Sequence, residues 1–140
     1  MERLRIDDQG NLTPTLADYA EAVRQVGVAE RVPVVDLNAM SLKLYGALGP
    51  TNCTKAFVFY PANTFPGQIK ALNDRTHHNA YGAYELARCM VEGIKAKVPE
   101  LAKHLTKDCG AFDPASPDSP EAIKIPASPL TSPPEKPAGS

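Results

Sequence analysis

The chain has 140 residues, a formal net charge of −1, and charged and hydrophobic fractions of 22% and 43%. That is enough for one modest globular domain, and it offers no electrostatic case for nucleic acid or an anionic membrane surface. No apolar run reaches the length of a signal-peptide core or a membrane span, so taken at face value the chain is cytoplasmic if Met1 is the true start.

In chain order, residues 5–14 form a polar turn, with Gly10 and Asn11 supplying the conformations a turn needs. A helix opens at Thr15, with Asp18 three residues on in a capping-box pattern. Its apolar positions Leu16, Tyr19, Ala20, Val23 and Val26 recur at helical spacing, and Arg31 and Pro33 end it. Residues 32–36, Val-Pro-Val-Val-Asp, are a short apolar run with the pattern of a buried parallel strand. Residues 38–48 predict a second helix, closed by Gly49-Pro50. Residues 56–60 fit either a strand or an extended loop, and the two prolines of residues 61–67 mark a loop.

A polar loop at residues 74–78 leads into the clearest helix, residues 79–97. That helix carries Asn79 as N-cap and a stripe of Ala80, Ala83, Tyr84, Ala87, Met90, Val91, Ile94 and Val98. A short helix starts at Pro99 and runs through His104, which is read as solvent-exposed. Residues 111–140 hold eight of the fourteen prolines and one aromatic, Phe112. They have little apolar surface to offset ordering entropy and read as an extended or disordered tail or strap, leaving residues 1–110 as the folded part. Cys53, Cys89 and Cys109 make no Cys-x-x-Cys pair and no zinc spacing. They read as small buried or free thiols, with a disulfide such as Cys53 to Cys109 left open.

One good strand and one doubtful one cannot close a parallel sheet, which needs strand neighbours and helices on both faces. The chain is therefore either a small, mostly helical protein or the C-terminal part of a larger α/β domain, and the second reading is preferred.

Residues 74–84, Asp-Arg-Thr-His-His-Asn-Ala-Tyr-Gly-Ala-Tyr, carry the chemistry. Asp74 stands three residues before His77, close enough to accept a hydrogen bond from one imidazole nitrogen and leave the other as a proton acceptor. On the residues alone, a local hydrogen bond in a surface loop is the preferred reading of the pair. A metal site built from Asp74, His77 and His78 lacks a third well-spaced ligand. Asn79 could be only a helix cap, and Gly82 only a point of close packing.

The block Asp-x-Thr-His followed by Asn-x-x-Gly-Ala resembles the last motif of the SGNH (GDSL-type) esterases. With residues 19–24 (Tyr-Ala-Glu-Ala-Val-Arg) and 32–38 (Val-Pro-Val-Val-Asp-Leu-Asn) in register, it looks most like their rhamnogalacturonan acetylesterase branch. The likeness covers about residues 1–105.

It implies the C-terminal part of a three-layer α/β/α, flavodoxin-like SGNH-hydrolase fold without metal or cofactor. It also implies an acetylated polysaccharide or other small ester as substrate, and a secreted or periplasmic location. Carried over by position, His77 would be the general base and Asp74 its orienting carboxylate, with Thr76 and Asn79 supporting the loop. Asp36 would serve as a structural cap more than as a cleft residue.

The family's Gly-Asp-Ser nucleophile block and oxyanion-hole residues have no counterpart. Ser41 falls inside a helix, and Ser116, Ser119, Ser128, Ser132 and Ser140 lie in the tail. The expectation is a chain that supplies only the Asp-x-x-His half of the triad, inactive alone, with a missing N-terminal half carrying the serine. The alternative is a non-catalytic binding or assembly module.

Overall fold

A computed structural model describes residues 1–124. Along the chain come α1 (Ala17–Ala29), α2 (Leu37–Cys53), β1 (Phe57–Tyr60), β2 (Leu72–His78), α3 (Ala80–Lys97) and α4 (Pro99–Ala102), with a 3₁₀ turn at Thr54–Ala56 leading into β1. This mixture of helices with a small antiparallel sheet is compatible with an α/β fold. The core lies where α2, β1 and α3 meet. Leu44, Tyr45, Phe57, Leu86 and Cys89 are fully or almost fully buried there, and Leu4 from the N-terminal segment closes it. None of the described helices is long and apolar enough to cross a membrane.

The helix limits follow local chemistry. Asp36 caps α2 by accepting from the Ala39 N–H at 3.0 Å, and Asn79 caps α3 by accepting from the Gly82 N–H at 3.0 Å. Gly49, at φ 71°, breaks α2 where Gly-Pro was expected to close it, and one further turn runs on to Cys53. Cys53, Cys89 and Cys109 are all free thiols. His104 is exposed just beyond α4.

Four expectations need correction. Residues 32–36 form neither a helix nor a strand. A strand exists only through a neighbour that takes its N–H and C=O groups, and residues 32–36 have no strand partner among the described residues. The capping box at Thr15 does not form. The Thr15 hydroxyl donates instead to Glu2 Oε1 at 2.6 Å, and Leu16 takes the cap position.

The apolar stripe of α1 faces solvent, with Tyr19 74%, Val23 56% and Val26 60% exposed. Gly27 is the one α1 residue that is buried. On α3 the buried side is Tyr81, Glu85, Leu86, Cys89 and Gly93, rotated from the stripe read in the sequence. Glycine explains that rotation. A Cβ at Gly82 would lie 2.0 Å from the Ala56 carbonyl oxygen, so the helix approaches the 3₁₀ turn before β1 on the side where it has no side chain.

Residues 111–124 contain no helix or strand and lie across α3 as a strap. The Tyr81 hydroxyl donates to the Asp118 carbonyl at 2.6 Å, and Arg88 pairs with Asp118 and lies 4.2 Å over the Phe112 ring. Lys43 and Lys55 pair with Asp113 and Glu121. The remainder of the proline-rich tail, residues 125–140, lies outside the described residues.

Candidate functional site

The Asp74–His77 stretch, expected as a loop, is the end of β2 interrupted by an extrusion. Phe57 pairs with His78, but its neighbour Val58 pairs with Asp74, so Arg75, Thr76 and His77 bulge from the sheet between them. The strand pattern was hidden because these three residues break the period-two alternation by which a strand is recognised.

Asp74 closes the bulge. Its Oδ1 accepts from the backbone N–H of Thr76 at 2.7 Å and of His77 at 3.0 Å, and its Oδ2 lies 2.6 Å from His77 Nδ1. The His77 N–H, the His77 ring and the Thr76 N–H hold the Asp74 carboxyl down at about 2, so it is an anion throughout the neutral range. A carboxylate on Nδ1 fixes that nitrogen as the protonated one in neutral imidazole. Nε2 is left with its lone pair and without a partner among the described residues. The side chain of His77 is 78% exposed.

His78 points the other way. Its ring packs on Phe57 at 4.2 Å between centroids and stacks on Tyr45 at 6.0 Å, and its Nε2 lies 2.7 Å from the Tyr45 hydroxyl. That hydroxyl also donates to the Glu2 carbonyl at 3.2 Å. Having one proton to give, it satisfies both contacts when His78 carries its proton on Nε2. Burial pushes the His78 ring down to about 4, so it is neutral at pH 7. His77 Nδ1 is held by Asp74 and His78 Nε2 by Tyr45, so Asp74, His77 and His78 do not converge as metal ligands.

Asn79 links the bulge to its neighbours, because its Nδ2 donates to the carbonyls of Lys55 at 2.6 Å and Phe57 at 3.0 Å while its Oδ1 caps α3. Thr76 is exposed, and its N–H is one of the two backbone donors to Asp74. No described serine lies within hydrogen-bond reach of His77. Ser41 is fully buried in α2, accepting from the Glu2 N–H and donating to the Asn38 carbonyl. Ser119 bonds Glu121 on the strap.

Sequence reasoning missed Glu2 and Tyr45 as supports. Burial raises the Glu2 carboxyl, but hydrogen bonds from Thr15, the Arg3 and Leu16 N–H groups and Asn38 outweigh it and bring it down to about 2. Reading residues 72–78 as a strand would have placed His78 on the buried side; nothing in the sequence marks Glu2.

No family model matches the chain, and no solved structure does. Among curated proteins, sequence similarity relates the chain to the ester hydrolases. The relative is Rhamnogalacturonan acetylesterase RhgT of Bacillus subtilis (strain 168), 34% identical over 105 residues. That alignment takes in 75% of this chain, and the chain spans 45% of the length of the relative. The likeness to rhamnogalacturonan acetylesterases read from the motifs thus holds over most of the chain, and the match is consistent with a C-terminal portion of such a protein.

Proposed function

We propose that this chain supplies the base and its orienting carboxylate for an SGNH-type serine esterase of three-layer α/β/α fold, one that deacetylates a plant cell-wall polysaccharide such as rhamnogalacturonan. The nucleophile and oxyanion donors come from residues outside this sequence. The observation that carries the proposal is the 2.6 Å contact of Asp74 Oδ2 with His77 Nδ1, on a bulge that aims His77 away from the core.

In this reading His77 Nε2 takes the proton of a serine hydroxyl as its oxygen attacks the acetyl carbonyl. His77 then returns that proton to the departing sugar oxygen. Water repeats the cycle on the acyl-enzyme: His77 removes its proton and hands it back to the serine as acetate leaves. Asp74, ionised well below neutrality, holds the tautomer and stabilises the imidazolium formed in each half. Thr76 and Asn79 keep the bulge in place through the main-chain contacts described above.

Two features of the fold support a missing complement. The apolar side of α1 is exposed, and residues 32–36, apolar in composition, have no strand partner among the described residues. Both are surfaces that further strands of a parallel sheet would cover.

Nucleophile and oxyanion donors each contribute roughly 10³-fold or more, so the chain alone should show negligible hydrolysis of p-nitrophenyl acetate. Mixing or co-expressing it with the unmatched part of the relative, the part expected to hold the Gly-Asp-Ser block, should restore hydrolysis that His77→Ala abolishes. Hydrolysis by the chain alone that disappears in His77→Ala would overturn the proposal of an outside nucleophile. Restored activity that survives His77→Ala would overturn the role of His77.

A further inference from the structure

A cleft of about 510 Å³ opens directly beside the His77 bulge, lined by Arg3, Arg5 and Arg75 with Thr15, Thr76 and two aliphatic side chains. Its construction follows from the N-terminal segment lying against the bulge. Leu4 donates its N–H to the Arg75 carbonyl at 2.9 Å, which ties residues 3–5 to the bulge. The Leu4 side chain is buried, so alternation along the segment sends Arg3 and Arg5 outward together. Arg75 is the first residue of the extrusion itself, and its guanidinium lies 5.8 Å from the Phe59 ring centroid.

The three guanidiniums carry no counter-charge. Arg24 is paired with Glu21 and Asp36, and Arg88 with Glu85 and Asp118, yet Arg3, Arg5 and Arg75 make no ion pair among the described residues. The nearby acids are occupied elsewhere. Asp74 is held by His77 and the bulge amides. Glu2 is buried, and its carboxylate is engaged by Thr15, the Arg3 and Leu16 N–H groups and Asn38. In a chain of net charge −1, three unpaired arginines in one concavity make a local anion site that overall charge conceals.

We infer that this cleft holds uronate carboxylates of an acidic polysaccharide, placing the neighbouring sugar's acetyl ester at His77. The inference rests on the esterase reading for the identity of the polymer, and on the arginines for its charge. Planar guanidinium forks match carboxylates bidentately, which suits a ligand that carries carboxylates at intervals along its chain. Arg75 and Thr76 line the cleft and belong to the same bulge as His77, so a polymer lying in the cleft runs beside that bulge. A nucleic acid would also feel the charge, but the lining has no aromatic side chain on which bases could stack.

The test is calorimetric titration of the whole chain with oligogalacturonate, a neutral galacto-oligosaccharide and a short single-stranded RNA. Oligogalacturonate should bind with an affinity that falls as salt rises, and the neutral sugar should not bind. Arg3→Gln, Arg5→Gln and Arg75→Gln should each weaken binding about tenfold, the range of one charged hydrogen-bonded contact. Arg75→Lys should rescue less than half of that loss, and Arg31→Gln, outside the cleft, should change nothing. Circular dichroism melts confirm that each variant is folded.

Absence of oligogalacturonate binding, binding unaffected by the three Gln variants, or RNA binding tighter than oligogalacturonate would each overturn the inference. Because no hydrolysis is read, its fate separates from that of the esterase proposal. His77-dependent cleavage of p-nitrophenyl acetate in the reconstituted protein, without uronate binding, would sink the cleft alone. Arginine-dependent binding without any reconstituted hydrolysis would sink the esterase reading alone.

Discussion

His77 and His78 are adjacent in sequence and opposite in environment, and the extrusion in β2 is what separates them. One ring stands in solvent against a carboxylate; the other sits half-buried between Tyr45 and Phe57. The buried ring makes the fold sensitive to acid. Folded His78 protonates near 4, whereas an unfolded chain takes up that proton near 6.5. Between those values the unfolded state binds more protons, so the contribution of a neutral His78 is complete above 6.5 and is lost as pH falls toward 4. Each pH unit of such a shift is worth about 1.4 kcal/mol. Discounted for a half-exposed ring, the loss from pH 7 to pH 4 should be about 1–2 kcal/mol. In His78→Phe the ring contacts remain and Tyr45 can still donate to Glu2, so urea denaturation at the two pH values should show this loss largely gone. Equal pH slopes in wild type and variant would mean that His78 is not the sensitive group. Asp74 and Glu2 act in a different window, because carboxyls held at about 2 give their full contribution above the ordinary range near 4 and lose it only below.

At the scale of the elements, α3 is placed by two glycines whose neighbours differ in kind. A Cβ at Gly82 meets the Ala56 backbone carbonyl at 2.0 Å, and backbone cannot step aside without moving the 3₁₀ turn and the strand β1 it leads into. A Cβ at Gly93 meets Val35 Cγ1 at 2.2 Å, the end of a side chain on the unpaired segment 32–36. Gly82→Ala should therefore cost about 2–3 kcal/mol, the range of overpacking against fixed atoms. In Gly93→Ala, movement of Val35 and the roughly 1 kcal/mol gain in helix propensity should leave stability nearly unchanged. Chemical denaturation of both variants compares them directly, and equal losses would show the segment around Val35 to be as rigid as β1. The same contrast shows what could be read in advance. The limits of α3, its Asn79 cap and the Gly49 break are local events, encoded in a few neighbouring residues. The buried side of α3 was misread because the close approaches at Gly82 and Gly93, invisible to an apolar count, decide it. Residues 32–36 carry a strand's composition, but strandhood depends on a partner that the segment does not specify. The Asp74–His77 pairing was legible because three residues of spacing suffice for it; the arginine cleft was not, because it joins residues 3–5 to residue 75.

Among the described residues, the core gathers around α2, β1 and α3, and α1 presents an exposed apolar surface. Tyr19, Val23, Val34, Val35 and Leu37 line a groove of about 230 Å³ between α1 and residues 32–36. Val23 and Val26 are more than half exposed, so their side chains contribute little to this chain's own core. If the groove, lined by Val23, together with Val26 one helical turn on, is where the proposed nucleophile-bearing part docks, the two valines matter only when that part is present. Val23→Lys and Val26→Lys should thus leave the melting of the isolated chain almost unchanged, within about 0.5 kcal/mol, as surface substitutions do. The same substitutions should lower co-purification with the unmatched part of the relative, and the esterase activity it restores, by tenfold or more, since a lysine on an otherwise apolar contact must be desolvated without a partner. A double variant should be worse than either alone if both valines lie under one interface. Loss of 2 kcal/mol or more in the isolated chain would instead place the valines within a core of its own, the result expected of a self-sufficient binding module. Unchanged stability with unchanged assembly would place the docking surface elsewhere and leave the segment at residues 32–36 as the next candidate, testable by Val34→Pro.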